Sequence, residues 1–322
     1  MNNSNLKRFA KDNKMEIGVF ALLLVMCIIA ALTSPVFLSY QNISSISTSL
    51  SYYGTIASGA AIVMIMGGLD LSQMSTMAIS VVVCSQILLS GVDGAAAFAI
   101  ISAVVIGLIC GFINGVIVTF LKIPPMIATI GTQYIYRSIA FILVDGQTFW
   151  IGDKVFKTIG FGSFLGIPIL LWIMLFIFAM VWIMMKYTQL GQNIYAVGSN
   201  ENAARLSGIS IEKTKISAYT LSGLIGGIAG VLWIAQLSAS KPTAGQGQEL
   251  IPIAAVVIGG VSLLGGKGKI YGVMLGVILL MVLSNIMTLL HLNTYLQQLC
   301  QGVILIIAVV IGVKRGPNEL DI

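Results

Sequence analysis

Apolar residues run through this chain in long blocks, separated by short polar interruptions. Each block approaches the roughly 20 residues that cross a bilayer as a helix. Ten spans are predicted, at roughly 16–34, 43–66, 73–91, 94–121, 125–144, 166–186, 213–238, 250–264, 270–290 and 295–313. The eighth is short, which predicts a tilted, broken or re-entrant segment. The first follows a basic start, as a signal peptide would. The next residues, SPVFLSYQN, offer no small-x-small cleavage site, so an uncleaved first span is expected. Pro35, Pro124, Pro125, Pro168, Pro242, Pro252 and Pro317 all fall at or near predicted ends. There they remove no hydrogen bond that lipid would fail to replace. The prediction is an all-α polytopic membrane protein with one membrane domain over 16–313. It has an N-terminal tail over 1–15, a polar loop at about 187–212 and a C-terminal tail over 314–322.

Composition strengthens this reading. Hydrophobic residues make up 57% of the 322 and charged residues only 9%, against about 25% in soluble domains. The net charge of +6 reflects placement at span ends, not a stripe for nucleic acid. With the N-terminus inside, Lys7, Arg8, Lys11, Lys14, Lys122, Lys186, Arg205, Lys213, Lys215, Lys267, Lys269, Lys314 and Arg315 fall on the cytoplasmic side. Only Lys154, Lys157 and Lys241 fall outside, and Arg137 lies within the fifth span. Both termini are therefore expected in the cytoplasm, with lipid around the domain and no nucleic-acid partner.

Chemistry for catalysis or energy conversion is missing. GGVSLLGGKGK, residues 259–269, is not a P-loop, because Val261 stands where the first glycine belongs and Lys267 precedes glycine. A single histidine, His291, makes neither a metal site nor a triad. Cys27, Cys84, Cys110 and Cys300 lie in apolar runs with no C-x-x-C pair. All eleven acidic residues sit at predicted ends or loops, so no mid-membrane carboxylate of the kind that serves proton pumps is expected. No enzyme, cofactor or metal is predicted for this chain.

Four stretches carry information. In GGLDLSQMS, residues 67–75, Asp70 and Gln73 have capping-box spacing, so Asp70 either caps the third span or, with Ser72, lies near a solute path. The fifth span carries a polar stripe of Thr129, Thr132, Gln133 and Arg137; Arg137 either snorkels outward or faces a wet interior. SASKPTAGQGQEL, residues 238–250, crowds glycine and glutamine into an outer loop ahead of the short span. Gln246 and Glu249 make it a second path candidate.

The fourth stretch is SNENAARLSG, comprising Ser199, Asn200, Glu201, Asn202, Ala203, Ala204, Arg205, Leu206, Ser207 and Gly208. Ser199 or Asn200 can cap a helix of about eight residues, Gly208 suits the left-handed position past its end, and Glu201 and Arg205 are spaced i, i+4. Such a helix is marginal alone in water and needs something to pack on. Gly107, Gly111 and Gly115, with Gly223/Gly227 and Gly226/Gly230, have the spacing of close helix contacts, either within the bundle or between subunits.

In this order the stretches resemble the membrane subunits of bacterial ABC sugar importers, nearest the ribose, galactose and autoinducer-2 permeases, along nearly the whole chain. The motifs are GLDLS, GQNIYAVGSNENAARLSGI and KPTAGQGQEL…IAAVVIGGVSLLGGKG. The resemblance implies a type II importer fold and inward movement of a monosaccharide or similar small polar solute. It implies an ATPase subunit with two nucleotide-binding domains, which carries ATP and Mg²⁺, and an extracytoplasmic sugar-binding protein. It also implies a second permease, identical or related, and a bacterial inner-membrane location. Ser199–Gly208 would be the coupling helix that meets the ATPase. Two departures stand out: Gln73 and Met74 follow Ser72 where relatives read V-G, and Ile251-Pro252 replaces the D-A of E-L-D-A-I-A-A. These fit a member paired with a non-identical permease. The alternatives are a nucleoside or branched-chain amino-acid permease of a related importer, or a stand-alone secondary transporter.

Overall fold

The computed structural model describes residues 13–314, so most of both predicted tails lies outside the described residues. Each of the ten apolar blocks coincides with a helix. These are α1 (Lys14–Thr33), α2 (Tyr40–Ile65), α3 (Gln73–Leu89), α4 (Ala95–Phe120), α5 (Pro125–Ile142), α7 (Ile169–Tyr187), α10 (Ile211–Leu237), α11 (Leu250–Ile258), α12 (Ile270–Leu289) and α13 (Thr294–Lys314). Three shorter helices join them: α6 (Lys154–Phe161), α8 (Gln189–Ser199) and α9 (Glu201–Leu206). Two small antiparallel pairs complete the described elements, β1 (Phe149–Trp150) with β4 (Ala239–Ser240), and β2 (Ser163–Phe164) with β3 (Ile167–Pro168). Among the described residues six helices, α1, α2, α4, α7, α10 and α12, are long and apolar enough to cross a membrane.

Helices α2, α3 and α10 form the centre, and α4, α5, α7, α11 and α12 surround it. Their polarity follows their position. Central α2 carries Ser47, Ser51, Thr55 and Ser58, whose hydroxyls donate to carbonyls of their own helix within four residues, so none of these donors is stranded. Peripheral α1 and α4 instead expose Ile and Phe side chains outward.

Glycine sets the closest approach. Gly107 and Gly111 of α4 lie against the backbone of Gly223, Gly227 and Tyr219 on α10. Gly226 and Gly230, on another face of α10, lie against Thr76, Met77 and Ser80 of α3. The glycine spacing is thus used inside this chain, where backbones in contact replace the hydrophobic drive that lipid removes.

Helix α11 is only nine residues long, about 14 Å at 1.5 Å per residue. It ends at a turn built on Gly259 and Gly260, and irregular chain runs on to Lys269. The short eighth block is therefore a broken one.

Candidate translocation and coupling sites

The chain between α2 and α3 is not an external turn. Asp70 and Ser72 are buried there. Asp70 Oδ1 accepts from Ser72 N at 3.0 Å and Ser72 Oγ at 2.7 Å, and Oδ2 accepts from Ser222 Oγ at 2.7 Å. Asn114 Nδ2 donates to Ser72 Oγ at 2.7 Å, and Gln73 Nε2 to Ser222 Oγ at 2.6 Å. Tyr136 OH donates to Asn114 Oδ1 at 3.1 Å. One carboxylate thus ties α3, α4, α5 and α10 together, with each serine hydroxyl donating once and accepting once. Ser222 is eleven residues into α10, about 16 Å from its start, so Asp70 lies deep in the bundle.

This corrects two expectations. Asp70 and Gln73 do not form a capping box: α3 starts at Gln73, Ser72 holds the cap position, and the Gln73 amide is spent on Ser222. Nor are all the carboxylates peripheral. Asn114, Tyr136 and Ser222 escaped sequence reasoning, because a lone amide or hydroxyl in an apolar helix has no diagnostic spacing.

Arg137 is buried, with its guanidinium among the carbonyls of the outer loop. Its Nη1 donates to the carbonyls of Pro242 at 2.9 Å and Ala244 at 2.6 Å, and its Nη2 stands 3.8 Å from Glu249 Oε1. It fastens the 241–249 loop to α5. Tyr53 OH adds a bond to Gln248 Oε1 at 2.6 Å, while Gln246 is exposed. Thr129 donates to Leu69 O at 3.2 Å and to Pro125 O at 2.9 Å; Thr132 donates to Thr129 O at 3.3 Å; Gln133 is half-buried. The predicted path residues therefore fall into two groups, an inner one around Asp70 and an outer one around Arg137, and not into one site.

Residues 187–212 hold two helices. Asn200 is the cap that forms, accepting from Ala203 N at 3.0 Å; Ser199 closes α8. Helix α9 has six residues, fewer than expected, and Gly208 takes φ +81° beyond it. Ala204 is buried and anchors the helix, whereas Asn202, Ala203 and Ser207 are exposed and Leu206 is 91% exposed. Glu201 and Arg205 already have partners: Glu201 meets Lys215 at 2.7 Å, and Arg205 meets Glu212 at 3.4 Å and Glu201 at 3.8 Å. They frame a crevice of about 440 Å³ that also touches Gly67, Lys122 and Pro124. Behind α8 the backbone is tightly joined: Gly266 N donates to Ile65 O at 2.7 Å, and Gly198 packs directly against that carbonyl.

A family model described as branched-chain amino acid transport system / permease component matches residues 42–309. The chain is 36% identical over 316 residues to the ribose import permease of Escherichia coli K12, covering 97% of this chain and 98% of the relative. It is 36% identical to the ribose import permease of Bacillus subtilis, covering 96% and 97%. The L-arabinose transport system permease of E. coli K12 is 33% identical, covering 91% and 88%. No solved structure matches.

Proposed function

We propose, from the premise that this chain belongs to the branched-chain amino acid transport system / permease component family, that it is the inner-membrane permease of an ATP-driven monosaccharide importer. The near full-length similarity to ribose import permeases carries this reading, and the L-arabinose permease supports a sugar over an amino acid. The chain crosses the membrane about ten times with both termini in the cytoplasm. It pairs with a second permease, and a separate ATPase supplies the energy.

Helix α9 is the ATPase contact. Its partnered charges, Glu201 and Arg205, hold its shape, and its free face, Asn202, Ala203, Leu206 and Ser207, meets the partner. A leucine 91% exposed on a short polar helix is suited to an apolar socket. The Asp70 group holds the inner end of the bundle closed, and Arg137 with Glu249 shapes the outer mouth.

The test is ATP-dependent uptake by proteoliposomes holding the permease, its ATPase and its binding protein. Ribose, arabinose and allose are each compared with leucine. Uptake of at least one sugar is expected. Uptake of leucine alone would overturn the assignment.

A further inference from the structure

Two hollows meet on the outside of the bundle, between α7 and α12. One, of about 460 Å³, lies at the end of the bundle that carries α8 and α9, and is lined by Lys186, Lys269, Gln192, Tyr195, Trp182 and Tyr271 among others. Its lining holds two cations, Lys186 and Lys269, of which Lys269 is ion-paired with Glu16 at 3.0 Å and donates to Asn13 Oδ1 at 2.9 Å. The other, of about 230 Å³, continues along the helices and is lined by Leu175, Phe178, Ala179 and Met274. Both share Trp182, Ile270 and Tyr271. A polar, cationic chamber thus opens directly into an apolar furrow on the outside of the bundle.

The cations are held in place. Lys186 Nζ lies 5.0 Å from the ring centres of both Trp182 and Tyr187. Those two rings position its ammonium without neutralising it. Lys269 Nζ lies 5.6 Å from the Tyr271 ring, and Glu16 Oε1 anchors it at 3.0 Å. The Lys186 ammonium, held against two rings, suits a phosphodiester in the chamber, whose wall Lys269 also lines. Indole and phenol rings at this level are the groups that favour the headgroup region, and basic pockets between helices on the cytoplasmic side receive anionic headgroups.

We infer that α7 and α12 form a binding site for one anionic phospholipid of the inner leaflet, with its phosphate at Lys186 and an acyl chain along the Leu175–Met274 furrow. The site rests on the proposed reading that α7 and α12 cross the membrane with the α8–α9 end in the cytoplasm, and it stands apart from the identity of the transported solute.

The test uses the full chain in nanodiscs containing both phosphatidylglycerol and phosphatidylcholine. In one set the phosphatidylglycerol carries brominated chains, and in the other the phosphatidylcholine does. Bromine quenches tryptophan on contact, and Trp182→Phe identifies the contribution of Trp182. Brominated phosphatidylglycerol is expected to quench Trp182 more strongly than brominated phosphatidylcholine. Lys186→Gln should abolish that excess, whereas Lys157→Gln, in α6, should leave it. Equal quenching by the two lipids, or an excess that survives Lys186→Gln, overturns the proposal. Inorganic phosphate should leave the excess intact; if phosphate removes it, the cations serve a soluble anion and the lipid assignment fails. Should Lys186→Gln not fold, native mass spectrometry of the unaltered protein decides. Retention of phosphatidylglycerol over phosphatidylcholine supports the site, and equal retention overturns it.

Discussion

Alanine at Gly111 and alanine at Gly131 should shift stability in opposite directions. Both glycines are helical, one on α4 and one on α5. A Cβ at Gly111 would run into Tyr219 O and approach Gly223 Cα and N, each at 3.0 Å. All of these are backbone atoms, so no side chain can turn aside. The helices must separate, which also loosens the contacts of Gly107 and Gly115 with α10. Overpacking of this kind costs about 1–3 kcal/mol. Against it stands a gain of about 0.5–1 kcal/mol for alanine over glycine in a helix. The net expectation for Gly111→Ala is a loss of up to about 2.5 kcal/mol. A Cβ at Gly131 meets nothing within 4 Å, so that variant keeps the whole helix gain. Thermal unfolding of the detergent-solubilised protein, followed by gel filtration, reads both signs. A Gly111→Ala melting temperature at or above that of Gly131→Ala would refute the described α4–α10 register.

Ser222→Ala strands both Asp70 Oδ2 and Gln73 Nε2, each worth about 1–3 kcal/mol when buried without a partner; a clear fall in melting temperature is expected. Arg137→Met removes two charge-assisted hydrogen bonds and leaves Glu249 without its ion pair, so amide exchange should quicken across 241–249, with little change in α10. Leu206→Asp should abolish co-purification with the ATPase while leaving the melting temperature unchanged, because the side chain is 91% exposed. Arg205→Ala breaks only exposed ion pairs, worth about 0.2–1 kcal/mol each, and should weaken docking much less than Leu206→Asp in the same pull-down.

Hydropathy made the helices legible because burial in lipid demands long apolar runs: the block at 125–144 became Pro125–Ile142, and that at 270–290 became Ile270–Leu289. Helices α6 and α8 were missed because neither is long or apolar enough to stand out from a loop. The composition of α9 was readable, but its working face was not. Glu201 and Arg205 looked available in sequence, and their engagement with Lys215 and Glu212 depends on how α10 begins. Arg137 shows the same limit. Depth in the span says nothing of its partners, which are carbonyls more than a hundred residues away in the chain.

The Ile65 carbonyl has a consequence for biosynthesis. Its partner, Gly266 N, lies about two hundred residues later, and Gly198 must already be seated beside it. As the chain emerges from the ribosome, the end of α2 therefore waits with an unsatisfied acceptor until the segment after α11 has been made. Until then α8 and α9 are held by α2, α7 and α10 alone, without the closing contact from residue 266. The contact at Ile65 thus closes late, joining the end of α2 to a segment from the last third of the chain.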